Sequence, residues 1–150
     1  MKPAFPPALQ TAVYAALSWF LANRFPEFMI EWNGFRYLAA GLITVGLVII
    51  AIAIGAFVRA KTTINPVSPD IARKLVTKGL YRISRNPMYF GMLLLLVGWG
   101  VYLQNLLGFA PTAMFIVTMT TLQIKPEEKA LRNKFGSEYD AYCKRVRRWI

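Results

Sequence analysis

Between Tyr37 and Val58 the chain runs 22 residues without a charge, and few folds can house such a stretch. It is the cleanest membrane-spanning candidate in the sequence. Three further apolar segments accompany it: Ala8–Phe25, Met88–Leu103 and Phe109–Ile124. The last two would each give about 24 Å of helix, short of a hydrocarbon core of about 30 Å, so both are expected to continue as helix into the headgroups or to sit where the bilayer is locally deformed. Hydrophobic residues make up 56% of the 150 residues and mean hydropathy is +0.40. A chain of this size buries only part of that apolar surface in its own core, which leaves hydrocarbon as the solvent for the rest. The expected fold class is all-α: a polytopic membrane protein with about four transmembrane helices, cytosolic connections and C-terminal amphipathic helices.

The first apolar segment is read as a retained helix and not as a signal peptide. Leu21-Ala22-Asn23-Arg24-Phe25 is a poor cleavage context, and Pro3, Pro6 and Pro7 are out of place in a charged leader. The short connection Gln104–Gly108 makes the last two spans an antiparallel hairpin. Residues 1–150 are expected to form one domain, with two spans in 1–58 and a ligand-binding half in 59–150.

Charge sets the orientation. The net charge is +11, which suits nucleic acid, but its distribution points elsewhere. The basic residues concentrate in Arg59–Arg85 and Lys125–Arg148, each flanking an apolar segment. The positive-inside rule places both stretches in the cytoplasm, with the chain N-in and C-in, and most of these cations serve orientation and attraction to anionic lipid. Glu27 and Glu31 then fall outside. No RNA-binding signature accompanies the basic residues, and no nucleic-acid partner is expected. With no histidine and a single cysteine, Cys143, a histidine base, a Ser–His–Asp triad and ordinary zinc sites are excluded, and no metal is expected.

Three polar pieces converge on the basic face. KTTINPVSPD, residues 61–70, is kept out of regular helix by Pro66 and Pro69. Residues 75–91, LVTKGLYRISRNPMYFG, place Asn86-Pro87 at the mouth of the third span, where Asn86 suits the N-cap and Pro87 the first helical position. Residues 125–150 open a new helix at Pro126, end it at Gly136, and start another at Ser137, with Asp140 as a capping-box relative. Tyr139, Tyr142, Cys143 and Val146 then share one face, and Trp149 with the basic tail reads as a surface anchor. Glu127-Glu128, directly below a span, either pair with cations structurally or accept hydrogen bonds from a nucleoside-like ligand. Gly98 and Gly100 suit close helix packing. Gly91, one turn inside the mouth, would let a flat ligand lie against the backbone. No GxGxxG follows a strand, so a Rossmann domain is absent.

The ordered set TTINPVSP, LVTKGLYRISRNPMYFG, PEE and FGSEYDAYCKRVRRW resembles the integral-membrane S-adenosylmethionine-dependent methyltransferases. These include the isoprenylcysteine carboxyl methyltransferases and the phospholipid methyltransferases, and the chain is most similar to small bacterial members of the former. The likeness covers roughly Thr62–Trp149. It implies a cofactor pocket on the cytosolic side, an acceptor entering from lipid, and residence in a bacterial inner membrane. The family pattern Arg-His-Pro-x-Tyr-x-Gly falls on Arg85, Asn86, Pro87, Tyr89 and Gly91, the paired glutamates on Glu127 and Glu128, and the aromatic pattern on Tyr139 and Tyr142. Asn86 stands where histidine is commoner, and Gln123 where many relatives carry arginine.

The implied cofactor is S-adenosyl-L-methionine, leaving S-adenosylhomocysteine as product. Tyr81, Asn86, Pro87, Tyr89, Gly91, Glu127, Tyr139 and Tyr142 are its expected binding residues, and Arg85 and Glu128 the expected catalytic ones. Arg85 suits the cofactor's carboxylate and Glu127 its hydroxyls, while Glu128 is the base an amine acceptor needs. The acceptor is expected to be lipophilic: an isoprenylcysteine carboxylate, a phospholipid amine or a small thiol. The competing reading is a non-enzymatic membrane protein that keeps the fold as a binding module or subunit.

Overall fold

A computed structural model describes residues 6–31, 33–60 and 74–150, and these are helical with no strand. KTTINPVSPD lies outside the described residues. Six α-helices follow in order: α1 Pro7–Arg24, α2 Phe35–Arg59, α3 Pro87–Leu103, α4 Ala110–Thr118, α5 Lys125–Phe135 and α6 Ser137–Arg145. Among the described residues, two helices are long and apolar enough to cross a membrane, namely α2 and the continuous rod Leu106–Phe135 that contains α4 and α5. The helix α3 is equally apolar in character but has 17 residues. Only 11% of the apolar stretch of α2 is buried against the rest of the protein. A soluble core helix would be mostly covered, so the outer faces of α2 suit hydrocarbon.

At the centre lies α3, with α2 and α1 packed along it and α1 also against α4. The α2–α3 seam is built from missing side chains. Ala39, Gly46 and Ala53 recur every seven residues on the buried face of α2. A Cβ added at Gly91 would stand 2.6 Å from Ile50 Cγ1 and 2.8 Å from the Gly46 carbonyl, and one at Gly98 would stand 2.8 Å from Ile43 Cγ1. Without a large hydrophobic gain between helices in lipid, this close backbone approach supplies the packing energy. Gly100 instead lies under the ring of Phe109.

At one end of the bundle Asn105 ties three segments together. Its carboxamide oxygen accepts from Leu107 N at 2.9 Å and its Nδ2 donates to the Phe25 carbonyl at 2.8 Å. The preceding residue, Gln104, takes the left-handed conformation (φ 52°) that turns the chain out of α3, and its carbonyl accepts from Ile30 N at 2.8 Å.

Two sequence expectations about helix ends are corrected here. Pro126 does not open a new helix: the rod runs through it, because a π turn over Met119–Ile124 widens the backbone just ahead of the proline. Widening relieves the clash between the ring and the preceding turn, and the missing N–H falls where the bond pattern is already shifted. Nor does Ser137 cap α6. Gly136, at φ 50°, occupies the cap position, and Asp140 pairs with Arg132 at 2.7 Å.

Candidate functional site

The polar cluster forms at the other end of the bundle, where α3 begins and the Leu106–Phe135 rod turns polar. A short helical turn, Gly79–Arg82, packs Tyr81 edge-on against Phe57 of α2, with ring centroids 5.4 Å apart. The chain then bends through Ser84–Asn86 into α3. Asn86 holds the N-cap position, but its side chain does not cap the helix. Ser84 Oγ accepts from Asn86 N at 3.0 Å, and Asn86 Nδ2 donates to the Arg148 carbonyl at 2.9 Å. Arg85 N donates to the Arg147 carbonyl at 3.0 Å. The C-terminal segment is therefore a strap across the mouth of α3. Trp149 is no surface anchor, since it is partly buried against the core of Tyr89, Leu96, Phe115, Met119 and Ile124, and its Nε1 lies 3.3 Å from Thr120 Oγ1.

The neighbours Glu127 and Glu128 point to different partners because successive side chains on a helix diverge by about 100°. Glu127 turns to α3: Tyr89 Oη and Gln123 Nε2 both donate to its Oε1, at 2.6 Å each. Glu128 turns to the strap. Arg148 grips it with two N–H groups at 2.7 and 3.0 Å, and Arg85 Nη2 lies 3.0 Å from its Oε1. Both oxygens of Glu128 are thus engaged by guanidinium groups.

Tyr139 and Tyr142 of α6 back this cluster from below the strap. Both are buried with Val146, and Tyr142 Oη donates to the Tyr81 carbonyl at 2.7 Å. Burial pushes the phenols of Tyr81, Tyr139 and Tyr142 well above their ordinary range. All three stay neutral donors across physiological pH.

Among the described residues, two buried polar atoms in the cluster have no partner: Arg85 Nε, a donor, and Gln123 Oε1, an acceptor. Buried groups of this kind are normally satisfied, and an exception asks for a ligand or ordered water. Of the sequence candidates, Arg85, Asn86, Tyr89, Glu127 and Glu128 come together directly, and Tyr81, Tyr139 and Tyr142 form the adjoining wall. Pro87 fixes the first turn of α3. Gly91 is placed otherwise, in the seam against α2, where its missing side chain serves helix packing. Sequence reasoning did not single out Arg148 or Ser84, which nothing distinguishes from the surrounding basic and polar residues. Gln123 was noted in the sequence only as standing where many relatives carry arginine.

An apolar helical bundle with a buried cluster of polar and aromatic side chains at one end of its central helix defines the class: a membrane protein of packed apolar helices. The phospholipid methyltransferase family model matches residues 35–138, and the chain belongs to that family. It is 32% identical over 122 residues to a probable protein-S-isoprenylcysteine O-methyltransferase of Oryza sativa subsp. indica, covering 81% of this chain and 63% of that protein. The protein-S-isoprenylcysteine O-methyltransferase of Schizosaccharomyces pombe is 30% identical over 132 residues, covering 82% of this chain and 53% of its own. An uncharacterised protein of Haemophilus influenzae matches along its whole length, 41% identical over 63 residues and 42% of this chain. The chain thus spans roughly half to two thirds of the length of the plant and yeast relatives. No solved structure matches it significantly.

Proposed function

We propose that the chain is an S-adenosylmethionine-dependent methyltransferase acting on a lipophilic acceptor drawn from the bilayer. The reading places four helical spans across an inner membrane and both basic stretches in the cytoplasm. Residues 1–58 would then wall the acceptor side and 59–150 would hold the cofactor, within one domain. The observation that carries it is the pair of buried atoms without a partner among the described residues, Arg85 Nε and Gln123 Oε1, in one polar cluster within the family's matched region. A ligand bearing both acceptors and donors satisfies them, as an amino-acid nucleoside does.

S-adenosylmethionine would supply an electrophilic methyl group on sulfonium. The residues of this chain bind, orient and exclude water, which is most of what an in-line displacement needs. Arg85 and the free N–H groups at the start of α3 receive the cofactor's carboxylate. Glu127, fixed by Tyr89 and Gln123, accepts its hydroxyls. Tyr81, Tyr139 and Tyr142 supply neutral aromatic walls, and Asn86 and Pro87 hold the turn that closes the pocket against the strap.

The acceptor's chain has a berth. A groove of about 540 Å³ lies between α1 and α2 over α3, bounded by Ala12, Leu47, Ile50, Met92 and Trp99 among others. Its polar atoms are already engaged: Thr11 Oγ1 donates to the Pro7 carbonyl at 2.9 Å and Trp99 Nε1 to the Ala15 carbonyl at 3.0 Å. Such a lining offers a hydrocarbon chain contacts and no competing hydrogen bonds.

Calorimetric titration of detergent-purified protein with S-adenosylhomocysteine tests the reading, beside Glu127→Ala. Micromolar binding that the variant loses supports it. Absence of binding by folded protein overturns it in favour of a binding module or subunit that keeps the fold without the chemistry.

A further inference from the structure

Arg148 meets the polar cluster twice, through its backbone and through its side chain. Its carbonyl accepts from Asn86 Nδ2 at 2.9 Å and from Ser84 Oγ at 3.4 Å, which ties the strap to the turn before α3. Its guanidinium forks onto the Glu128 carboxylate, with Nε on Oε1 at 3.0 Å and Nη2 on Oε2 at 2.7 Å. Arg85 reaches the same carboxylate through one nitrogen, Nη2, on the oxygen that Arg148 Nε also uses. A carboxylate offers about four lone-pair positions, and a fork takes one on each oxygen. Arg148 therefore holds the face that a second fork would need. The two arginines also differ in depth. The side chains of Arg85 and Glu128 are each 12% exposed, and that of Arg148 is 36% exposed. Removing Arg148 leaves the two deeper charges paired with each other, unlike removing either of them.

We infer that Arg148 is a positioning residue: by occupying the fork face of Glu128 it holds Arg85 to a single contact and keeps the rest of that guanidinium for a carboxylate of the ligand. The inference rests on the methyltransferase reading of this site and names the device that keeps its anion-binding cation available. Arg148 acts through Glu128 and need not touch the ligand. Without it the fork face falls vacant, and Arg85 gains a second charge-assisted bond by turning onto it, in a setting where burial strengthens the attraction. That turn commits a second nitrogen of Arg85, whose Nε has no partner among the described residues. The strap sets the starting geometry, because the Arg147 carbonyl accepts from Arg85 N at 3.0 Å and so fixes both arginines on one stretch of backbone.

The test is calorimetric titration of the full-length protein in detergent with two probes. One is S-adenosylhomocysteine. The other is its decarboxylated analogue, which keeps the adenine, ribose, thioether and amine and lacks only the carboxylate. Arg148→Ala should weaken S-adenosylhomocysteine by about tenfold or more, the loss of one charge-assisted hydrogen bond, and the analogue by less than about threefold. Arg148→Lys, a point charge that cannot fork, should fall between wild type and Arg148→Ala for the first probe alone. Adding Glu128→Gln to Arg148→Ala removes the charged face that captures Arg85 and should recover most of the lost affinity, where a purely structural role gives a further loss. In an Arg85→Ala background, Arg148→Ala should cost S-adenosylhomocysteine nothing more. Equal weakening of both probes, or of neither, overturns the inference and leaves the methyltransferase reading standing. If Arg148→Ala does not fold, Arg148→Lys decides, and a shift of both probes alike overturns the inference. Wild-type protein that binds neither probe overturns the methyltransferase reading, and the inference falls with it.

Discussion

Glu127 and Glu128 are adjacent in the chain and opposite in circumstance, and the contrast makes a prediction at the scale of single residues. Glu128 neutralises Arg85 and Arg148 together. Glu128→Gln should therefore cost about 2–3 kcal/mol of stability, between a charged hydrogen bond and a buried ion pair. Glu127 has neutral donors, and Glu127→Gln should change stability by less than about 1 kcal/mol. Its loss should instead weaken S-adenosylhomocysteine at least tenfold, the effect of one charge-assisted hydrogen bond. Thermal unfolding in detergent and calorimetry read the two effects separately, and the reverse ordering would sink this division of roles. The sequence showed that the pair was unusual but not how it divides. That division depends on the π turn and on the strap, and neither leaves a local signature. Likewise Asn86 looked like a cap, yet its backbone N–H goes to Ser84 Oγ, two residues away, and its Nδ2 to the Arg148 carbonyl, sixty-two residues away.

Helices were the more legible level, because their periodicity and apolar runs are local. The apolar stretches Tyr37–Val58 and Met88–Leu103 fall within two residues of α2 and α3. Pro126 misled because its rule describes a regular α-helix, and a widened turn suspends it. Gly91 misled because in sequence it stands one turn inside the polar Arg85–Pro87 mouth, while its spatial neighbours are on α2. The seam it belongs to predicts a contrast between two glycines. Gly91→Ala drives a Cβ to 2.6 Å from Ile50 Cγ1 and 2.8 Å from the Gly46 carbonyl, an overpacking expected to cost about 1–3 kcal/mol. Gly41→Ala, on the same pair of helices, meets nothing within 4 Å and should be neutral or slightly stabilising, as alanine favours helix over glycine by up to about 1 kcal/mol. Melting temperatures of the two variants decide it, and equal losses would mean that α2 and α3 do not pack through this seam.

For the whole molecule, the two ends of the bundle differ in charge and chemistry. One end gathers Glu27, Met29 and the Asn105 turn. The other gathers the ends of α2 and the rod, the start of α3, α6 and the strap, with most of the basic residues of the chain. Such polarity is what the positive-inside rule reads as orientation, and the proposed function needs the basic end to face the cytoplasm. Because Cys143 is the single cysteine, Cys143→Ser gives a cysteine-free host in which single reporters can be placed. Glu27→Cys and Lys144→Cys mark the two ends, both at exposed positions. A membrane-impermeant maleimide should label position 27 in intact spheroplasts and leave position 144 unreacted until the membrane is inverted or permeabilised. Four spans and the basic end facing the cytoplasm require that opposition. Labelling of both positions from one side would mean that one of the shorter helices, α1 or α3, does not cross, and would move the pocket's mouth away from the face where a soluble cofactor can reach it.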